Sequence, residues 1–169
     1  NDPTVPVLTM KDDVQVYGGF AGTETQLLDR DLESNPAILD GESIVYQVVI
    51  GANNGKLDGF EITGSNATND SGGGMRNVDV QNLVVENCSF ISNHTDFLGG
   101  GIYNEESSPT INNCIFIGNT SLAGAGIHNL VNSSPTILNS VFLENVASGG
   151  GGAIHNGDCL LYTSDAADE

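Results

Sequence analysis

The stretch GGGIYNEESSPTINNCIFIGN, residues 99–119, decides the fold because the chain writes it more than once. GGGMRN…VVENCSFISN (residues 72–93) precedes it and GAGIHNLVNSSPTILNSVFLEN (124–145) follows it. GGAIHN (151–156) begins a further copy. Asn87, Asn113 and Asn139 recur at one constant interval, and Phe90, Phe116 and Phe142 keep the same interval, as do Asn93, Asn119 and Asn145. Met75, Ile102, Ile127 and Ile154 recur slightly less evenly. That drift falls in Gly-, Ser- and Asn-rich segments that read as loops. Self-similarity at such a period marks a solenoid.

Two solenoids suit this period, a leucine-rich repeat and a β-solenoid. The Leu-x-x-Leu-x-Leu pattern is missing, and no repeat contains a helical run. Apolar residues alternate instead. Cys114 and Phe116 face one way, Ile115 and Ile117 the other, which is strand periodicity. The expected fold is all-β, a right-handed parallel β-helix of about six coils of roughly 26 residues, each built of about three short strands. Equivalent residues would then stack at ~4.8 Å. Phe90, Phe116 and Phe142 become a column of rings, and Met75, Ile102, Ile127 and Ile154 an aliphatic column. Asn87, Asn113 and Asn139 fall where the chain must bend. Asn tolerates a left-handed backbone there, and its stacked amides bond along the column as a ladder. Sugar binding by these asparagines is the competing reading. The glycine runs follow no strand-then-helix pattern, which argues against a phosphate-cradling loop.

The repeat resembles those of bacterial right-handed β-helix surface proteins. GGAI (151–154) and its variants, paired with the F-x-x-N of Phe90 to Asn93, Phe116 to Asn119 and Phe142 to Asn145, are similar to the chlamydial polymorphic outer-membrane protein repeat. VYGGFAGTET (16–25), NPAILDG (35–41) and LDGFEITG (57–64) look more like secreted β-helix proteins of environmental bacteria that carry interchangeable C-terminal surface anchors. The resemblance implies an extracellular or cell-surface setting. It also implies adhesion, surface display or polysaccharide contact as roles.

Residues 1–158 read as one β-helix domain, expected to be a piece of a longer protein, since residues 1–10 show no signal peptide and no initiating Met. CLLYTSDAADE (159–169) is similar to a translated sequencing-library adaptor and is expected to be non-native. No apolar run reaches the ~18 residues of a membrane span, so no membrane insertion by this segment is expected. The formal charge is −18, and Lys11, Arg30, Lys56 and Arg76 are the only Lys and Arg residues. Nucleic acid is disfavoured as a partner, because phosphate contacts need clustered cations. A polyanionic glycan is disfavoured by repulsion unless calcium bridges it, and calcium is the only cofactor left open. Cys88 and Cys114 share a column in adjacent coils and are expected to be free buried thiols rather than a disulfide. Residues 23–33 are the one candidate helix.

The residues after the aliphatic anchors, Arg76, Tyr103, His128 and His155, are expected to form an exposed strand column. Asn77, Asn104, Asn129 and Asn156 follow them. Aromatic, imidazole, guanidinium and amide groups in a row suit sugar hydroxyls. Arg76, Tyr103, His128, His155, Asn104 and Asn129 are therefore the candidate ligand-binding residues, with a decorated solvent face as the alternative. Two imidazoles without a carboxylate or thiolate make no convincing metal site. No catalytic residue is assigned. Asp79, Glu105 and Glu106 read as loop residues, not as the pair of carboxylates a glycoside hydrolase needs. The expected function is a structural or adhesive module that contacts glycans. A polysaccharide lyase or glycoside hydrolase, with catalytic coils outside or poorly represented in this stretch, is the alternative, to be favoured by an acidic pair on neighbouring coils or by an Asp cluster with a basic residue.

Overall fold

The computed structural model describes residues 2–157, so residues 159–169 and the expected boundary after residue 158 lie outside the described residues. The described chain winds through four parallel sheets. Sheet A holds Leu8–Thr9, Val49–Ile50, Met75–Val78, Ile102–Glu105, Ile127–Leu130 and Ile154–Asn156. Sheet B holds Gln15–Tyr17, Lys56–Asp58, Val84–Glu86, Thr110–Asn112 and Thr136–Leu138. Sheet C holds Ala37–Asp40, Phe60–Thr63, Ser89–Ile91, Ile115–Ile117 and Val141–Leu143. Sheet D holds Asn66–Ala67, His94–Thr95, Thr120–Ala123 and Val146–Gly150. The chain visits A, B, C and D in turn and returns to A one level up, a right-handed parallel β-helix of about five turns.

That is one turn fewer than the spacing predicts. Leu8 pairs with Val49, so the first coil consumes far more chain than the later ones, in which Met75 pairs with Ile102 and Ile102 with Ile127. Each regular coil carries four short strands rather than three. The missed strands are those of sheet D, among them Asn66–Ala67. They are rich in Thr, Ser, His and Ala and show no apolar alternation. The apolar stretch 44–50 forms a strand only at Val49–Ile50. The candidate helix shrinks to a single 3-10 turn, Leu27–Asp29. Acidic side chains there bond nearby backbone N–H groups and compete with helix formation. On either side of the turn Glu24 accepts from Ala21, Gly22 and Thr23 and Asp31 from Glu33 and Ser34, while within it Asp29 caps the single turn by accepting from the Gln26 N–H.

The stacked columns form the core. Phe90, Phe116 and Phe142 lie face to face at centroid distances of 5.0 and 4.7 Å, tilted by only 4° and 5°. Leu8, Val49, Met75, Ile102, Ile127 and Ile154 are in register along sheet A, so the uneven spacing is absorbed between strands. Leu57, Val85, Ile111 and Ile137 stack in sheet B.

Four glycines, Gly72, Gly99, Gly124 and Gly151, open the passage into sheet A, each with positive φ. At Gly99 φ is +70°, and a Cβ would sit 2.5 Å from the Ile102 carbonyl oxygen and 2.9 Å from the Tyr103 Cα. Both neighbours are backbone and cannot yield. Gly99→Ala is therefore expected to cost about 2–4 kcal/mol, read as a fall in the chemical-denaturation midpoint. Gly22→Ala, at a similar φ of +89° but with open space around it, should cost distinctly less.

Candidate functional site

The middle of the sheet A column is not where the sequence places it with respect to solvent, whereas Arg76 and His155 at its two ends are half-buried. Arg76, Tyr103, His128 and His155 do align in register and point away from the core. Tyr103 stacks on His128 at 5.9 Å and His128 on His155 at 5.0 Å. Yet Tyr103 is 5% exposed and His128 2%. The reason is the glycine turn. Gly72 folds onto the Arg76 Cα and Cβ, Gly99 onto the Tyr103 Cα and Gly124 onto the His128 Cα and Cβ. Strand alternation tells a residue's side of the sheet, not whether another segment covers that side. Arg76 ion-pairs with Asp70 at 3.7 Å, and the Tyr103 hydroxyl donates to Glu105 at 3.0 Å.

Asn104 and Asn129 are also misplaced as exposed contacts, because both point inward and are buried. Each Nδ2 donates to the Oδ1 one coil on, Asn77 to Asn104, Asn104 to Asn129 and Asn129 to Asn156, at 2.8 Å every time. A second inward ladder runs from Asn93 to Asn119 at 3.1 Å and from Asn119 to Asn145 at 2.8 Å. The ladder expected from Asn87, Asn113 and Asn139 is shorter. All three take positive φ, at 51°, 52° and 49°. Asn113 donates to Asn87 and Asn87 to Asp58, but Asn139 turns aside to Asn112. These three sit at bends on the outer face, where stacking does not force one orientation.

A polar strip missed by sequence reasoning runs over the outward face of sheet B. Asp58 and Glu86 face each other in register on neighbouring coils. Lys56 lies between them, 3.1 Å from the Asp58 Oδ2 and 2.7 Å from the Glu86 Oε2. Arg30 reaches in from the long connection of the first coil. It bonds the Asp58 Oδ1 at 2.6 Å and donates to the carbonyls of Gly18 and Asp58. Both cations lie over the Tyr17 ring, at 5.4 and 5.6 Å from its centroid. Asn87 donates to Asp58 and Asn112 to Glu86, each at 2.8 Å. Leu27, Leu28 and Leu32 wall one side of the resulting concavity, whose volume is about 360 Å³. Two of the chain's four Lys and Arg residues thus meet in one place on an acidic protein.

The electrostatics lock this cluster in its charged form. Burial pushes the Asp58 carboxyl up, but hydrogen bonds from Asn87, Arg30 and Lys56 outweigh it and hold the group below the ordinary carboxylate range. Hydrogen bonds from Lys56 and then Asn112 lower Glu86. The bond to Glu86, with help from Asp58, raises Lys56 against the opposing effect of burial. The two acids therefore stabilise the fold fully above the unfolded carboxylate range of about 4, and lose that contribution as pH falls through their lowered folded values. Lys56 contributes below about 10.4 and loses its share as pH rises through its raised value. A pH series of thermal melts should show acid loosening that begins near pH 4 and is reduced in Asp58→Asn.

Elsewhere, the His94 ring meets the Thr120 hydroxyl at 2.8 Å and Asp96 at 3.1 Å. Cys88 and Cys114 are free and buried. Burial raises their thiols to about 11 and about 12. Neither should react with a disulfide reagent at pH 8 in the folded protein, and both should react on denaturation, as peptide mass mapping would show. Among the described residues no group of three or more His, Cys, Asp or Glu side chains is placed to hold a metal ion. No helix among them is long and apolar enough to cross a membrane.

One signal in the sequence pointed toward the sheet B strip. LDGF (57–60) aligns with VENC (85–88), which puts Asp58 opposite Glu86. Nothing in the spacing placed Arg30 there, because it arrives on the irregular first coil. Neither a curated protein nor a solved structure matches the chain. A family model described as the right-handed β-helix region matches residues 37–165, from the first sheet C strand through all the regular coils. The chain belongs to the right-handed β-helix family.

Proposed function

We propose that this β-helix is a structural and adhesive module of a secreted or cell-surface bacterial protein, a stiff scaffold that contacts glycans through its outer face. The observation that carries this reading is the pair of inward asparagine ladders flanking the phenylalanine stack, which lock coil to coil while leaving the outer face free for display. Side-chain ladders of this kind make a stack of strands rigid.

A carbohydrate-active enzyme is the second reading, favoured by Asp58 and Glu86 facing each other beside Lys56. Acid–base cleavage needs one group held protonated and another free to take a proton near neutrality. Both carboxylates are held down and Lys56 is held up, so these groups suit contact better than cleavage. Incubation with insoluble cellulose, mannan and bacterial cell wall, followed by sedimentation and assay of released sugar, separates the readings. Retention on at least one matrix without release supports the module. Release of reducing ends or unsaturated products establishes the enzyme instead. No retention and no release would remove the glycan-contact role.

A further inference from the structure

The outward face of sheet B carries a more specific assignment, which rests on the glycan-contact reading. The concavity between Leu27, Leu28 and the Lys56–Glu86 pair is walled by apolar side chains on one side and floored by fixed hydrogen-bonding groups on the other. Sugar rings ask for this combination, an apolar surface for their C–H faces and charged or amide groups for their hydroxyls. Leu28 is 91% exposed, an outlay of apolar surface that its own fold does not use. The floor is pre-organised. Asp58 is nearly buried, and Arg30, Lys56, Asn87 and Asn112 hold the two carboxylates in place. A ligand would find them already oriented, which lowers the entropic cost of binding.

The floor keeps capacity for a ligand. Lys56 spends two of its three ammonium protons on Asp58 and Glu86 among the described residues. Each Glu86 oxygen accepts one hydrogen bond there and retains a second lone pair. The charges fix the ligand class. Arg30 and Lys56 cancel Asp58 and Glu86, so the site is locally neutral within a chain of net charge −18. Long-range repulsion then works against a uronate chain, while a neutral sugar feels none. The direction follows from the register. Tyr17, Asp58, Glu86 and Asn112 rise along the solenoid axis at one residue per coil, about 4.8 Å a step, comparable to one pyranose unit.

We propose that this concavity binds a linear neutral glycan lying along the solenoid axis, with its ring faces against Leu27 and Leu28 and its hydroxyls on Lys56 and Glu86.

The test is calorimetric titration of the full chain with cellohexaose, mannohexaose, xylohexaose and hexagalacturonate at low and high NaCl, repeated on Leu28→Asp and Glu86→Gln. Leu28 is almost fully exposed, so its replacement should leave the fold intact, as a thermal melt would verify. The expected result is binding of at least one neutral hexamer, insensitive to salt and weakened about tenfold or more in both variants. Equal affinity in wild type and both variants would overturn the site while leaving the glycan-contact module standing. Binding of hexagalacturonate alone, lost at high salt, would overturn the ligand class. Binding of none of the four would overturn this assignment and, together with no retention on the insoluble matrices, the glycan-contact role as well.

Discussion

Asn119→Leu should cost about 3–5 kcal/mol, a large share of the stability of a domain this size, because one side chain serves four partners. Its Nδ2 donates to the Phe90 carbonyl at 2.9 Å and to the Asn145 Oδ1 at 2.8 Å. Its Oδ1 accepts from the Asn93 backbone N–H at 3.0 Å and from the Asn93 Nδ2 at 3.1 Å. Leucine matches the volume and fills no hydrogen bond, so the loss isolates the polar contribution. Each buried group left without a partner carries a penalty of about 1–3 kcal/mol. The ladder also ends abruptly, since Asn93 is then cut off from Asn145. Asn113→Leu makes the control. Asn113 donates to Asn87 on the exposed outer face, where water replaces the lost bond, and its cost should be set mainly by its left-handed φ of 52°. Urea denaturation of both variants reads the difference.

Phe116→Ala should be equally damaging by a different route. The ring is fully buried and sandwiched at 5.0 Å from Phe90 and 4.7 Å from Phe142. Truncation loses the transfer energy of the ring and opens a void that neighbouring coils, held by their own ladders, cannot close. The expected cost is about 3–5 kcal/mol. Phe116→Leu should recover much of it by filling the space without the stacking. A solenoid whose coils were loosely coupled would instead tolerate Phe116→Ala with a loss of about 1 kcal/mol.

Both substitutions act on columns, and columns are what a periodic sequence writes openly. Phe90, Phe116 and Phe142 recur at a constant interval, and that interval with strand alternation is enough to place them inward and stacked. The left-handed bends at Asn87, Asn113 and Asn139 were legible for the same reason, since few residue types take that conformation. Burial was not legible. Tyr103 and His128 lie on the outward side of their strand as alternation requires, and a glycine turn from the same coil lies over them. Without a Cβ those turns leave no side-chain signal of what they touch. Asn104 was harder still. An asparagine beside an aromatic residue reads alike as a sugar contact or as a ladder rung, and only its inward direction decides between them. The sheet B cluster was missed because its parts sit where the period breaks. Arg30 belongs to the overlong first coil, in which Leu8 reaches Val49. Lys56 and Asp58 pair with Val84 and Glu86 across a longer interval than the one that separates Glu86 from Asn112. Repetition reveals the scaffold, and the candidate site occupies the departures from it.

Inward asparagine ladders join the parallel sheets and the phenylalanine stack in locking coil to coil, and hydrogen exchange of side-chain amides, followed by NMR on the full chain, tests their part most directly. The Nδ2 protons of Asn77, Asn93, Asn104 and Asn119 should be strongly protected and exchange only with global unfolding. Those of Asn113 and Asn139, on the outer face, should exchange far faster. Exchange of Asn104 and Asn119 at the rate of Asn139 would contradict the account, because the ladders would then be open to water and could not help to lock one coil to the next.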